Sequence, residues 1–137
     1  SFQMGQVGVA EPVHTVTLSK DYYMAKYETT VGQWKKIMGS DPSLYKKDDN
    51  YPVEWVSWND CQNFISILNK NYSGYGTFKL PTEAEWEYAC RAGTQTSFYW
   101  GDSTSETEID KYCWYYRNSG YTRHPVGQKL PNAFGLY

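Results

Sequence analysis

The sequence predicts an α+β fold, irregular and rich in ordered loop, from three observations. Three short stretches carry helical periodicity with start and stop signals. Between them lie short extended pieces bounded by turn formers. Aromatic residues make up 18% of the chain, with 14 Tyr, 6 Trp and 5 Phe. Tyr and Trp join a large apolar body to one polar tip, which suits cores built from loops that need buried hydrogen-bond partners. They suit ligand-binding surfaces equally well. At 137 residues the chain has the length of one domain, enough to bury roughly two-thirds of its unfolded surface, and no repeat or linker divides 1–137.

The elements follow in order. "HTVTLS" (14–19) alternates like a half-buried strand, and "YYMAKYE" (22–28) is a second short extended segment. In "TTVGQWKKIMG" (29–39) a threonine opens a helix, Val31, Trp34, Ile37 and Met38 share one face, and Gly39 ends it. "DPSLYKKDDNYP" (41–52) is a surface loop by its turn formers. "SWNDCQNFISILNKN" (57–71) starts on Ser57 with Asp60 three residues on, an acidic variant of the capping box. Trp58, Cys61, Phe64, Ile65 and Leu68 form its apolar stripe. "GYG" (74–76) is a turn; no G-x-x-x-x-G-K-[ST] pattern makes it a phosphate loop. Asn71-Tyr72-Ser73 has the form of a glycosylation sequon, meaningful only in a secretory setting.

"KLPTEAEWEYACRAG" (79–93) raises a chemical question, because Glu83, Glu85 and Glu87 stand close together. Helix initiation accounts for all three. Thr82 is the N-cap, Glu85 at the third helical position reaches back to the Thr82 N–H, and Glu83 and Glu87 favour the positive end of the helix dipole. Trp86, Ala89 and Cys90 make the inward face, and Gly93 is the stop. After Gly93 the periodicity fades. "TSFYWGD" (96–102) is one more extended piece, and 110–137 is mostly aromatics, turn formers and prolines.

Composition excludes several function classes. A formal charge of -2 with interspersed signs leaves no electrostatic footprint for nucleic acid. No apolar run approaches the ~20 residues of a membrane span, so a soluble domain is expected, and whether it is cytoplasmic or exported stays open. Three cysteines, Cys61, Cys90 and Cys113, leave at least one unpaired within the chain, and none stands at C-x-x-C spacing. With His14 and His124 far apart in sequence, a structural zinc site is disfavoured. Cys61 sits on an apolar stripe, where a small buried thiol is the expected role.

Six stretches, in this order, resemble the formylglycine-generating enzyme family, or sulfatase-modifying-factor domain, a variant of the C-type lectin fold. They are "FQMG" (2–5), "VHTVTLSKDYYMAKYETT" (13–30), "YPVEWVSWNDC" (51–61), "KLPTEAEWEYACRAG" (79–93), "FYWGD" (98–102) and "HPVGQKLPNAFGLY" (124–137). "LPTEAEWEYA" followed by "PNAFGLY" is the specific pair. The resemblance implies an enzyme that oxidises a cysteine of a sulfatase-type peptide to formylglycine with oxygen and copper(I). The two copper-binding cysteines belong to a C-terminal segment that in the family follows "FGLY". The resemblance therefore implies a domain truncated on that side, with that segment of the same protein as a partner and no catalytic residue in these 137. It further implies a calcium-binding family site, carried over here to Asn118 alone. Cys90 matches a position that in some members pairs with a cysteine of the C-terminal part; Cys113 falls where packing is the expected role. Whether the chain serves an enzyme stays open. The alternative is a non-enzymatic ligand-binding or display module on the same fold.

Overall fold

The computed structural model describes residues 1–45 and 48–137; Lys46 and Lys47, inside the expected loop 41–52, lie outside the described residues. The fold is α+β. Among the described residues a two-stranded antiparallel sheet, β1 (Phe2–Gln6) and β2 (Ala10–Val16), precedes four helices: α1 (Val31–Met38), α2 (Trp58–Asn71), α3 (Glu83–Arg91) and α4 (Glu106–Tyr112). A short 3-10 turn at Ser73–Tyr75 follows α2. The chain divides into two compact units. The first comprises Ser1–Lys26, Pro81–Asn118 and Lys129–Tyr137; the second comprises Tyr27–Leu80 and Ser119–Gln128.

In the second unit the sequence signals act as expected. Thr30 caps α1 by accepting from the Gln33 N–H, with the Gln33 side chain returning the bond, and Gly39 closes the helix in the left-handed region. Ser57 and Asp60 form the corresponding box on α2. The two helices meet through Trp34 and Phe64, whose rings stack at 4.9 Å and 5°. Val31, 1% exposed, and Trp34 are the buried pair of α1. A backbone strap fixes the start of α1: Val31 N–H donates to Tyr51 O (2.8 Å) and Gly32 N–H to Asp49 O (2.9 Å). The strap passes so close that a Cβ on Gly32 would stand 2.9 Å from the Asp49 Cβ, so this position needs glycine for space alone. Trp58, placed on the α2 stripe from sequence, is instead 67% exposed. It lies six residues, about 9 Å, N-terminal to Phe64, so the stripe outruns the contact with the eight-residue α1.

The first unit departs further from the sequence expectations. β2 begins at Ala10, earlier than the expected 14–19, and its side chains are exposed up to Thr15 rather than half-buried. Its partner β1 carries no clean alternation, because Gly5 (φ +97°) breaks the register between Met4 and Gln6. A Cβ at Gly5 would meet Ala10 O at 2.6 Å, so this bulge also requires glycine. The segment 96–102 is a tight turn, Phe98 and Gly101 exchanging both backbone hydrogen bonds at 3.0 Å. α4 was not expected. Its signal is nevertheless present: Ser105 caps the helix by accepting from the Glu108 N–H, an S-x-x-E spacing.

α3 starts at Thr82 as its sequence demands, and stops one residue before Gly93, on Ala92 in the left-handed region (φ 48°). Ala92 is buried, and its small side chain lets the turn tuck inward. Trp86 does not belong to the inward face; it is 58% exposed. Ala89 and Ala92 define the buried face, and at 100° per residue Trp86 lies about 90° round the helix from their midline.

Candidate functional site

Five side chains of the first unit position its concave face. Glu85 and Thr82 complete the capping box, with Thr82 Oγ1 accepting from Glu85 N–H at 3.2 Å and Glu85 Oε2 accepting from Thr82 N–H at 2.8 Å. Glu87 does more than complement a dipole. Its Oε1 accepts from Gly5 N–H and from Arg91 Nε, both at 2.8 Å, while Arg91 Nη2 donates to Gly5 O at 2.8 Å. The two side chains thus take both backbone groups of Gly5, as a neighbouring strand would, and anchor the bulge of β1 to α3. Burial pushes the Glu87 carboxyl up, but the Gly5 N–H and Arg91 outweigh it and hold the group below the usual carboxylate range. The i, i+4 spacing of Glu87 and Arg91 is legible in sequence; their target, 82 residues away, is not.

Asn132, buried, organises "PNAFGLY". Its Nδ2 donates to Ala89 O (2.8 Å) and Cys90 O (3.1 Å), and its Oδ1 accepts from Phe134 N–H (3.0 Å) and Leu136 N–H (3.1 Å). All four hydrogen-bonding positions of the side-chain amide are used. This locks 131–136 onto the last turn of α3. The result is a trough of about 620 Å³ whose walls include Phe2, Tyr22, Met24, Tyr88, Phe134 and Leu136, with Lys20 and Asp21 adding one charge of each sign. Tyr88 meets Phe2 edge-on at 5.4 Å and Phe134 at 5.6 Å. Tyr22 donates its hydroxyl to Glu85 O at 2.6 Å, and burial, then the charges of Glu85 and Tyr88, push that phenol up.

The thiols lie elsewhere in their local frames. Cys61, Cys90 and Cys113 are all free and partly buried. Burial pushes the Cys90 and Cys113 thiols up from their ordinary values, and Cys113 Sγ donates to Ile109 O. Tyr99 donates to Leu130 O (3.0 Å) and is pushed up to about 12 by burial first, then by Cys113, Cys90 and Tyr112. Its ring joins a stack in which Trp100 is sandwiched between Phe98 (4.6 Å) and Tyr112 (4.9 Å).

Asn118 is the residue at which the resemblance implies calcium. Its Oδ1 accepts from Tyr115 N–H (2.8 Å), and its Nδ2 donates to Asp110 Oδ1 (2.8 Å) and Cys113 O (3.0 Å). The amide therefore turns its donors, not its oxygen, toward the nearest carboxylate. Calcium takes six to eight oxygens, and among the described residues no group of three or more His, Cys, Asp or Glu side chains gathers for a metal. Asn118 ties the end of α4 to the loop after it.

In the second unit sequence reasoning missed Arg123. Its guanidinium donates to Pro52 O and Tyr45 O and lies 3.4 Å from Glu54 Oε1, which also accepts from Tyr45 N–H (3.1 Å). This hub fixes loops that carry exposed aromatics: Tyr45, Trp55 and Tyr121. Trp55 (φ 61°) and Tyr121 (φ 57°) both adopt the left-handed region, which bulky residues rarely enter.

The sulfatase-modifying factor enzyme 1-like domain model matches residues 1–137. The chain belongs to this family. It is 30% identical to the chaperone protein LppX of Paenibacillus barcinonensis, over 89% of this chain and 59% of that protein. It is 39% identical to the formylglycine-generating enzyme of Bos taurus, over 76% of this chain and 28% of the enzyme. Among solved structures, Treponema denticola variable protein 1 superposes with a TM-score of 0.82 at 26% identity, over 99% of this chain and 65% of that one. The fold is the formylglycine-generating-enzyme type. The chain thus spans less than two-thirds of the length of each of these relatives.

Proposed function

We propose that these residues are the framework part of a formylglycine-generating-enzyme-like domain, and that their role is recognition rather than oxidation. The observation that carries this reading is the state of the thiols. A sulfur that attacks a substrate or holds copper(I) must be a thiolate, and burial drives Cys90 and Cys113 the other way. Cysteine oxidation in the whole protein would then depend on thiols outside these residues, with a sulfatase-type cysteine peptide as substrate. The alternative role, a display or ligand-binding module, draws on the exposed aromatics fixed by Arg123 and Glu54. Trp and Tyr dominate binding hot spots because they offer large area at small entropic cost. The structural likeness to a variable protein supports the same reading.

Copper(I) competition against a chromophoric chelator tests the proposal. The chain is expected to take up no copper at micromolar concentration, and iodoacetamide is expected to label Cys90 and Cys113 more slowly than an exposed thiol at pH 7, since burial pushes both thiols up. Stoichiometric copper uptake, or rapid labelling of either thiol at pH 7, would refute it.

A further inference from the structure

Two bulky residues of the second unit hold a backbone conformation that costs the fold free energy while their rings face water. Trp55 (φ 61°) is 70% exposed and Tyr121 (φ 57°) is 79% exposed. Such outliers persist only where the surroundings over-determine them, and they gather at functional sites. Rings this exposed add little to a core, so packing does not explain the strain.

The surroundings that hold them are polar and shared. Glu54, next to Trp55, donates its N–H to Ser43 Oγ (3.4 Å), while its Oε1 accepts from Tyr45 N–H (3.1 Å) and lies 3.4 Å from Arg123 Nη2. Arg123, two residues after Tyr121, donates to Pro52 O and Tyr45 O. Val126 N–H adds a bond to Asn50 O (3.0 Å). One ion pair thus ties together the segments that carry Trp55, Tyr121 and the exposed Tyr45.

Area, charge and topology select the partner. Three rings exposed to this degree offer on the order of 400 Å², since a whole aromatic side chain covers 150–250 Å². A stable dimer takes about 800 Å² from each partner, so the patch suits a short segment rather than a second copy of the chain. Glu54 and Arg123 neutralise each other, which leaves no charge at the hub for a phosphate or a carboxylate. The second unit has no strand among the described residues, so it offers no edge for β-addition. An amphipathic helix buries a continuous apolar stripe, whereas these rings stand on loops with polar residues between them. The peptide mode that remains is polyproline II, whose side chains lie on aromatic faces. Its carbonyls are solvated, and indole N–H and phenol O–H groups can donate to them.

We propose that Tyr45, Trp55 and Tyr121 form a docking surface for a proline-rich segment of a partner protein in the polyproline II conformation. The left-handed backbone aims the rings outward, and Glu54 and Arg123 hold it there. The inference rests on the ligand-binding role set out above and names the ligand class.

Calorimetric titration of the protein with a synthetic polyproline peptide that contains no cysteine tests it. Binding is expected with a dissociation constant on the order of 10–100 µM, as befits a small interface. Trp55→Asn is expected to weaken binding about tenfold or more, the loss of a hot-spot ring. The same variant is expected to melt about 4 °C higher, because asparagine enters the left-handed region readily. A ring that merely supports the fold would give the opposite shift, so a lower melting temperature overturns the proposal. Absent polyproline binding, or equal binding by both proteins, overturns it too. Parallel titrations with a linear hexose oligosaccharide and an alternating valine–threonine peptide separate the two readings. If either binds in place of polyproline, the ligand class falls and recognition by these rings stands; if none binds, the ligand-binding role falls as well.

Discussion

The two units of the chain differ in what joins their helices to neighbouring elements. In the second unit α1 and α2 are joined by apolar surface, Val31 and Trp34 buried and Trp34 stacked on Phe64. In the first, the Phe2–Tyr88–Phe134 ring contacts between β1, α3 and the 131–136 turn are supplemented by polar side chains that reach backbone groups: Glu87 and Arg91 on Gly5, Asn132 on Ala89, Cys90, Phe134 and Leu136. Apolar contacts tolerate small shifts, because dispersion and burial depend weakly on direction. Staples of the second kind are directional and leave unsatisfied buried groups when one member is lost. A trough walled by loops needs the second kind, since loops supply little apolar area to hold their own positions.

The sharpest way to break this comparison is to remove one anchor from each side. Trp34→Ala should cost about 3–5 kcal/mol, the range for large aromatic truncations in a packed interior, read as a fall in the urea midpoint at unchanged m-value. A loss below about 1 kcal/mol, smaller than a typical large-to-small core change, would mean that stacking does not hold the second unit. Asn132→Ala should cost about 2–3 kcal/mol, because it strands the Phe134 and Leu136 amides together with two carbonyls. Near-UV circular dichroism should then change through Tyr88 and Phe134; an unchanged spectrum would contradict a staple that positions the trough.

Glu87→Gln sharpens the contrast by making it depend on pH. The native carboxyl is held below its ordinary value, so its contribution is complete above the unfolded carboxylate value of ~4.3 and is lost as pH falls through the lower native value. The substitution should cost about 1–2 kcal/mol at pH 7, the range for a partly exposed charged hydrogen bond. That difference should shrink below pH 4. A constant gap between the two proteins from pH 7 to pH 3 would remove Glu87 as a charged staple. The smallest effect belongs to a purely local feature: Thr82→Ala should cost about 1 kcal/mol, and Thr82→Ser should recover most of it.

These differences follow what each residue needs from the rest of the chain. Three boxes, Thr30–Gln33, Ser57–Asp60 and Thr82–Glu85, close within three residues, so sequence spacing suffices to find them. The box-like start of α4 at Ser105 and Glu108 was equally local, but polar and aromatic surroundings masked the periodicity beyond it. Periodicity places Trp58 and Trp86 inward, and both lie exposed. Periodicity identifies a face, and the neighbouring elements decide how far along the helix that face is covered. The candidate site was less legible still. Glu87 was visible as a carboxylate in a first turn, while its bond to Gly5 depends on β1. Asn118 was visible as a loop asparagine, while the direction of its amide depends on Asp110 and Tyr115. Arg123 offered no sequence signal at all, because each of its acceptors is a backbone carbonyl or a carboxylate about 70 residues or more away.

The sequence by itself determined the α+β class, the starts of α1, α2 and α3, and the family, since caps, periods and motif order act over short spans of chain. Only the tertiary structure decided which carboxylates are staples, which tryptophans face water, and that a trough lies between α3, the β1 strand and the 131–136 turn. Those outcomes depend on hydrogen bonds and ring contacts between residues tens of positions apart, and directional bonds at such separations leave no pattern in the order of amino acids.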